Sequence, residues 1–294
     1  MLKRKKYLFI TVLIAKFLAV DFSALAQDAI RPPLTNESWT KDYQPFRIVG
    51  NLYYVGTFDL ASFLITTPKG HILINSGLAE SVPMIRSHIE ALGFKFLDIK
   101  ILLATHGHFD HVAGMAEIKK LTGAKMMIES GDAQILSDGG NSDYVFGGKG
   151  KTFEPVKADR LLHDNDTVRI GGMEISVLRH PGHTKGACSF LFDVKDSSRS
   201  WRVLIANMPT ILDQTKLSGM PGYPDVAKDY AYTLESLEGI HFDIWLSSHA
   251  SQFGLNDKRK PGDGYHPETF IDPDGYRSAI DHLKEEYLKR LNEK

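Results

Sequence analysis

From Phe46 onward, short apolar runs alternate with turn residues, and that rhythm predicts β-strands. Arg47–Val49 and Leu52–Thr57 flank the turn pair Gly50-Asn51 and read as a hairpin. Ser62–Thr66 and His71–Asn75 flank Thr67-Pro68-Lys69-Gly70 in the same way. Ser81–Leu92 changes period: Ile85, Ile89 and Leu92 recur on one helical face, and Gly93 stands just past them as a stop. Lys100–Ala104 reads as a buried strand, His111 to Gly123 as one helix, and Ala124–Ile128 as a further strand. Thr167–Ile170 and Met173–Arg179 form a hairpin about Gly171-Gly172, and Cys188–Val194 pairs with Arg202–Ala206 across polar Lys195–Ser200. Asp225–Leu237 is an amphipathic helix and Phe242–Leu246 a strand. Asp272–Leu291 is a closing helix with Ile280, Leu283, Tyr287 and Leu291 on one face. This order predicts an α+β fold: two mixed β-sheets face to face with helices outside. Nothing between the halves resembles a linker, so residues 27–294 are expected to form a single domain.

Two stretches break the rhythm. Residues 27–45 are polar and carry Pro32, Pro33 and Pro45, which reads as a loose arm over the surface. Asp138–Lys151 sets five glycines around Asn141–Phe146, a mobile loop with an aromatic tip. Composition leaves it equally open as a functional lid or a plain surface excursion.

The N-terminus follows a different logic. A basic head (Lys3, Arg4, Lys5, Lys6) precedes apolar Tyr7–Ala15, and Ala24-Leu25-Ala26 offers a small-residue exit before Gln27. Residues 1–26 are therefore expected to be a signal peptide cleaved after Ala26, with a periplasmic destination. The apolar run is too short to span a membrane and Lys16 interrupts it, so no membrane attachment is expected after cleavage. The 294 residues carry a formal net charge of -1, which gives no sign of a nucleic-acid partner. Cys188 is the single cysteine, so the exported chain has no internal disulfide and must rest on core burial. Within an apolar strand it reads as a small buried hydrophobe.

The chemistry concentrates where the apolar run Ile101–Leu103 ends. His106, His108, Asp110 and His111 offer four metal-binding groups within six residues, a density that a merely polar loop does not reach. His183 and His249 also follow apolar runs and precede small residues, so they sit at strand ends as well. Five His and one Asp suffice for two zinc ions with three protein ligands each. A closed structural zinc takes four, so this count leaves room for a catalytic water. His71, His88, His163, His180, His241, His266 and His282 are assigned to structure or surface. His180, three residues before His183, is the one that could also support a ligand.

The run His106-x-His108-x-Asp110-His111 with later single histidines resembles the metallo-β-lactamase superfamily, whose αββα sandwich agrees with the two-sheet reading. Val203-Leu-Ile-Ala-Asn207-Met208 lacks the Asp that glyoxalase II-like and lactonase-like members use to bridge metals, and also the Cys of the first lactamase subclass. What is left looks like subclass B3. Phe46–Thr57, Gly182-His-Thr-Lys-Gly, Leu204–Pro209 and Asp243–Phe253 are similar to its GOB-type enzymes, over nearly the whole mature chain. Those enzymes characteristically have Gln at the first ligand position, where this chain has His106. Asn75 stands where much of the superfamily has Asp, which implies a weaker support for the metal ligands.

The resemblance implies that zinc 1 takes His106, His108 and His183, and zinc 2 takes Asp110, His111 and His249. It implies zinc-dependent hydrolysis of the β-lactam ring of penicillins, cephalosporins and carbapenems by a monomer, conferring antibiotic resistance. Asp110 would double as a catalytic group. Met208, Thr210, Tyr144 and Phe146 are expected to line the substrate pocket. The alternatives are an exported metallo-hydrolase of the same fold acting on a lactone or other ester, and a non-catalytic zinc-binding protein.

Overall fold

The computed structural model describes residues 30, 32–197 and 199–293. Among them, a seven-stranded sheet runs in chain order: β1 (Phe46–Val49), β2 (Leu52–Tyr54), β3 (Phe63–Ile65), β4 (His71–Ile74), β5 (Ile99–Leu103), β6 (Lys125–Glu129) and β7 (Arg160–Leu162). A five-stranded sheet holds β8 (Thr167–Ile170), β9 (Met173–Arg179), β10 (Cys188–Lys195), β11 (Ser200–Ala206) and β12 (Ile244–Ser247), also in sequence order. Both sheets are mixed. β1 to β4 form an antiparallel meander and β4 to β7 run parallel, while in the second sheet only β11 and β12 are parallel.

Parallel neighbours need long crossovers, and helices supply several of them. α2 (Val82–Ala91) joins β4 to β5, and α3 (Phe109–Val112) with α4 (Met115–Thr122) joins β5 to β6. α6 (Val226–Glu238) lies between β11 and β12. The remaining helices are α1 (Glu37–Thr40), α5 (Ala133–Ser137), α7 (Leu255–Lys258) and α8 (Pro273–Leu291).

Side-chain alternation decides the layers. Register pairs Ile72 with Ile101, Leu73 with Leu102 and Ile74 with Leu103. Ile72, Ile74, Ile101 and Leu103 join Phe190, Val203 and Ile205 in the core between the sheets. Leu73 and Leu102 turn the other way, onto Ile85 and Ile89 of α2 and Met115 and Ile118 of α4. A fully buried side chain of this size contributes roughly 1.5–3 kcal/mol relative to exposure. The two-sheet sandwich with helices outside is thus the one expected from the sequence. No helix among the described residues is long and apolar enough to cross a membrane. The expected signal peptide, 1–26, lies outside the described residues.

Two local expectations are corrected. The helix expected from His111 to Gly123 is two helices. The break falls at Ala113-Gly114, where a Cβ on Gly114 would meet Val82 Cγ2 at 2.8 Å. The segment before Pro45 is not simply a loose arm. Asn36 caps α1 by accepting from the Ser38 amide at 3.0 Å, and Tyr43 is buried, donating its hydroxyl to the Arg259 carbonyl at 3.0 Å. Aromatic area in a nominally polar stretch outweighs the prolines.

Candidate metal centre

Strand direction gathers the site. β9 and β11 are both antiparallel to β10, and β12 is parallel to β11, so the three end on one edge of the second sheet. β5 ends opposite them. The edges are tied by the Cys188 amide donating to the Thr105 carbonyl at 2.8 Å and the Ala61 amide to the Ser248 carbonyl at 3.0 Å. His106 and His108 leave β5 in an irregular loop, Asp110 and His111 occupy the first turn of α3, and His183 and His249 follow β9 and β12.

All six expected ligands meet there. The ligand atoms of His106, His108 and His183 lie within 4.8 Å of one another, as do those of His106, Asp110 and His111. His249 joins through Asp110: Asp110 Oδ2 is 3.4 Å from His249 Nε2 and 3.3 Å from His111 Nε2. The two groups are adjacent, with the rings of His106 and His111 centred 4.3 Å apart.

Their protonation suits a cation. Burial and the neighbouring imidazoles hold His106 well below the ordinary histidine value, and burial with His108 brings His183 down to about 3. Burial also lowers His111. It would raise Asp110, but His111 and His249 outweigh it and keep the carboxyl ionised. Burial acts to lower His249, yet its contacts with Asp110 and Asp59 push it up to about 9; a metal ion takes the place of such a proton. His106 Nε2 is buried without a hydrogen-bond partner, a costly state that a lone-pair acceptor such as a metal ion relieves.

Four of the five rings are also met from behind, which biases the tautomer. The Asn75 Oδ1 accepts from the Thr105 amide at 3.0 Å and from the Thr105 hydroxyl at 3.2 Å. That hydroxyl can then accept only, from Ser248 Oγ at 2.9 Å and His106 Nδ1 at 3.3 Å. Asn75 itself is left-handed, φ 60°, a conformation Asn tolerates. Far from leaving the loop unsupported, the amide oxygen anchors it. The His183 Nδ1 donates to the Thr210 carbonyl at 2.8 Å, and His249 Nδ1 lies 3.0 Å from Asp59 Oδ2. His108 Nε2 is 3.1 Å from Asp143 Oδ2.

Asp132 ties the two ligand loops together. It accepts from the Gly107 amide at 2.7 Å, the Thr184 hydroxyl at 2.6 Å and the Gly186 amide at 2.8 Å. Burial pushes its carboxyl up to about 6 against these three donors. Asp59 and Asp132 are missing from the sequence reading. Each is a lone Asp, Asp59 in a bend and Asp132 at the end of a short 3-10 helix, with no periodicity or clustering to mark it.

The expected pocket residues divide. Met208 is buried in the core between the sheets, so it packs rather than faces a pocket. Thr210 serves His183 through its carbonyl. The Tyr144 hydroxyl is shared between the carbonyls of Gly182 at 3.0 Å and His183 at 3.1 Å, and Phe146 packs edge-on to His108 with centroids 5.2 Å apart. The 138–151 loop is therefore folded onto the ligands. His180 bonds Ser189 Oγ at 2.6 Å and Ser236 Oγ at 3.1 Å, a structural role. Cys188 is fully buried behind the site, with Sγ 3.7 Å from the Ala104 carbonyl.

A four-layer αββα sandwich with two adjoining His/Asp groups at its strand ends defines a binuclear metal-binding class. Residues 56–197 match the model of the Metallo-beta-lactamase superfamily. A beta-lactamase from Chitinophaga pinensis is 58% identical, with 92% of this chain and all of that one covered and a TM-score of 0.88. The class B3 di-zinc metallo-beta-lactamase LRA-12 from an Alaskan soil metagenome is 57% identical over 90% of this chain and 100% of that one, TM-score 0.88. The metallo-beta-lactamase GOB-18 from Elizabethkingia meningoseptica is 48% identical over 90% of this chain and 98% of that one, TM-score 0.88. The chain belongs to the metallo-β-lactamase superfamily and groups there with class B3 enzymes. A curated relative, the hydroxyacylglutathione hydrolase of Rhodopseudomonas palustris (strain BisB5), is 30% identical over 135 residues, 46% of this chain. The chain spans only 44% of that protein.

Proposed function

We propose that this chain is a two-zinc hydrolase that opens the β-lactam ring of penicillins, cephalosporins and carbapenems, and so confers antibiotic resistance. The observation that carries the reading is an intact set of six ligands, five of them buried, in a chain 57–58% identical, over 90% or more of its length, to enzymes described as β-lactamases. His106, His108 and His183 would hold one zinc, and Asp110, His111 and His249 the other. When bound, the zinc ions supply Lewis acidity and lower the pKa of water from 15.7 to about 7.

The chain's own residues do the rest. Thr105, the Thr210 carbonyl and Asp59 hold the imidazoles of His106, His183 and His249 in the tautomers that leave one nitrogen lone pair facing the site. Asp110, placed between the two groups, orients the attacking water. In the net reaction the water oxygen bonds to the lactam carbonyl carbon, the C–N bond breaks, and the proton ends on nitrogen. We further propose that the chain is exported to the periplasm with residues 1–26 removed, and that it acts there as a monomer on a small molecule.

The test is hydrolysis of a chromogenic cephalosporin and a carbapenem by the purified mature chain. A chelator should abolish activity and zinc should restore it. Turnover that survives complete metal removal would overturn the mechanism. The partial likeness to hydroxyacylglutathione hydrolases favours a second reading, hydrolysis of a lactone or other ester. Ester turnover without lactam turnover would establish that one.

A further inference from the structure

The 138–151 segment holds a carboxylate that the reaction above does not require. Asp143 is buried, its side chain 2% exposed. Its Oδ1 accepts from the amides of Val145 at 2.7 Å and Phe146 at 2.6 Å, which fixes the plane of the carboxylate. Its Oδ2 lies 3.1 Å from His108 Nε2, an ion-pair contact without hydrogen-bond alignment, and neither atom has a hydrogen-bond partner. A carboxylate facing Nε2 favours the ring proton there, which leaves the lone pair on Nδ1.

Two more of the segment's side chains touch the same ligand group. Tyr144 donates to the carbonyls of Gly182 and His183, and Phe146 packs on His108. Among the described residues, its hydrogen bonds and ion pairs reach none of Asp110, His111 and His249. We propose that Asp143 is a positioning residue for the His106, His108 and His183 site, and that through it zinc binding at this site is coupled to the folding of the 138–151 loop. The inference rests on the two-zinc reading given above. It has a thermodynamic corollary: if loop closure favours the metal, the metal favours loop closure to the same degree.

Asp143→Asn separates positioning from mere loop packing. Its Oδ1 still accepts from both amides, but an NH2 now faces His108 Nε2, which favours the proton on Nδ1, the wrong nitrogen. Zinc titration against a chromophoric chelator should show one of two stepwise affinities weakened about 10–100-fold and the other unchanged. The metal-free variant should melt with the native chain, and imidazole nitrogen NMR should report the changed His108 tautomer. In the native chain, zinc should raise hydrogen-exchange protection at the Val145 and Phe146 amides. That measurement stands even where the variant fails to fold. Unchanged affinities, equal loss at both sites, or no gain in protection would overturn this inference alone. A native chain that binds no zinc would overturn the proposed function as well.

Discussion

Asp59 and His249 are 190 positions apart in the chain, and the carboxylate of one meets the imidazole Nδ1 of the other at 3.0 Å. The same oxygen accepts from Trp39 Nε1 at 3.2 Å, while Asp59 Oδ1 takes the Ser251 amide at 3.0 Å. Burial would raise this carboxyl, but His249 and the Ser251 amide hold it far below the usual carboxylate range. The pair turns His249 so that Nε2 faces Asp110. Asp59→Asn should therefore weaken the Asp110, His111 and His249 zinc about 10–100-fold, with turnover recovering in excess zinc. Zinc titration with activity read at each step checks it; loss that no zinc concentration restores would contradict a purely orienting role.

His106 bears on the other zinc. Its Nε2 is buried without a partner, and its Nδ1 is held by the Thr105 hydroxyl. A neutral amide is a poorer donor than imidazole, and Gln is not a standard zinc ligand. His106→Gln should weaken one zinc selectively and leave the second filled. Metal analysis at graded free zinc is the measurement, and two zincs bound as tightly as in the native chain would refute it.

Asp110→Asn keeps the shape of the side chain and removes its charge from between His111 and His249. Turnover should fall by a factor of hundreds, since removing one key electrostatic group typically costs about 2.7–4 kcal/mol. Steady-state kinetics on a zinc-saturated variant decides between a catalytic group and a tether. Near-normal turnover with both zincs present would leave Asp110 as a tether only.

His180 makes acid stability measurable. Burial between Ser189 and Ser236 lowers it to about 3, so the folded chain keeps it neutral while an unfolded chain protonates it near 6.5. The unfolded state binds more protons in that window, so stability is lost as pH falls from about 6.5 toward 3. Urea unfolding at pH 7.5 and pH 5.0 should show the native chain losing about 2 kcal/mol more than His180→Gln. Equal losses would place the acid sensitivity elsewhere.

The sequence exposes what is local and hides what is assembled. His106, His108, Asp110 and His111 announce themselves because four donors share one loop, and His183 and His249 because each ends an apolar run. The strands of the sandwich are legible from alternation, as the split of Ile72 and Ile74 from Leu73 between two cores shows. β7 and α5 are missed because Arg160–Leu162 and Ala133–Ser137 are shorter than any period they could display. Asp59 and Asp143, which face ligand rings, and Asp132, which ties the ligand loops, are missed for a different reason. Their partners lie across the fold, and a single Asp between apolar runs reads as turn chemistry. Trp39 is hidden by the prolines around it, although it packs 6.1 Å from both Phe109 and His249.

The unpartnered nitrogen of His106 reaches beyond catalysis. A buried lone pair without a donor burdens the metal-free fold, and a ligand that binds only the folded state stabilises it by about 2.7 kcal/mol at one hundred times its dissociation constant. With no disulfide to hold the chain, that increment governs how often it opens to proteases. Zinc scarcity should then shorten the lifetime of this protein, so that loss of the metal removes folded molecules as well as their activity.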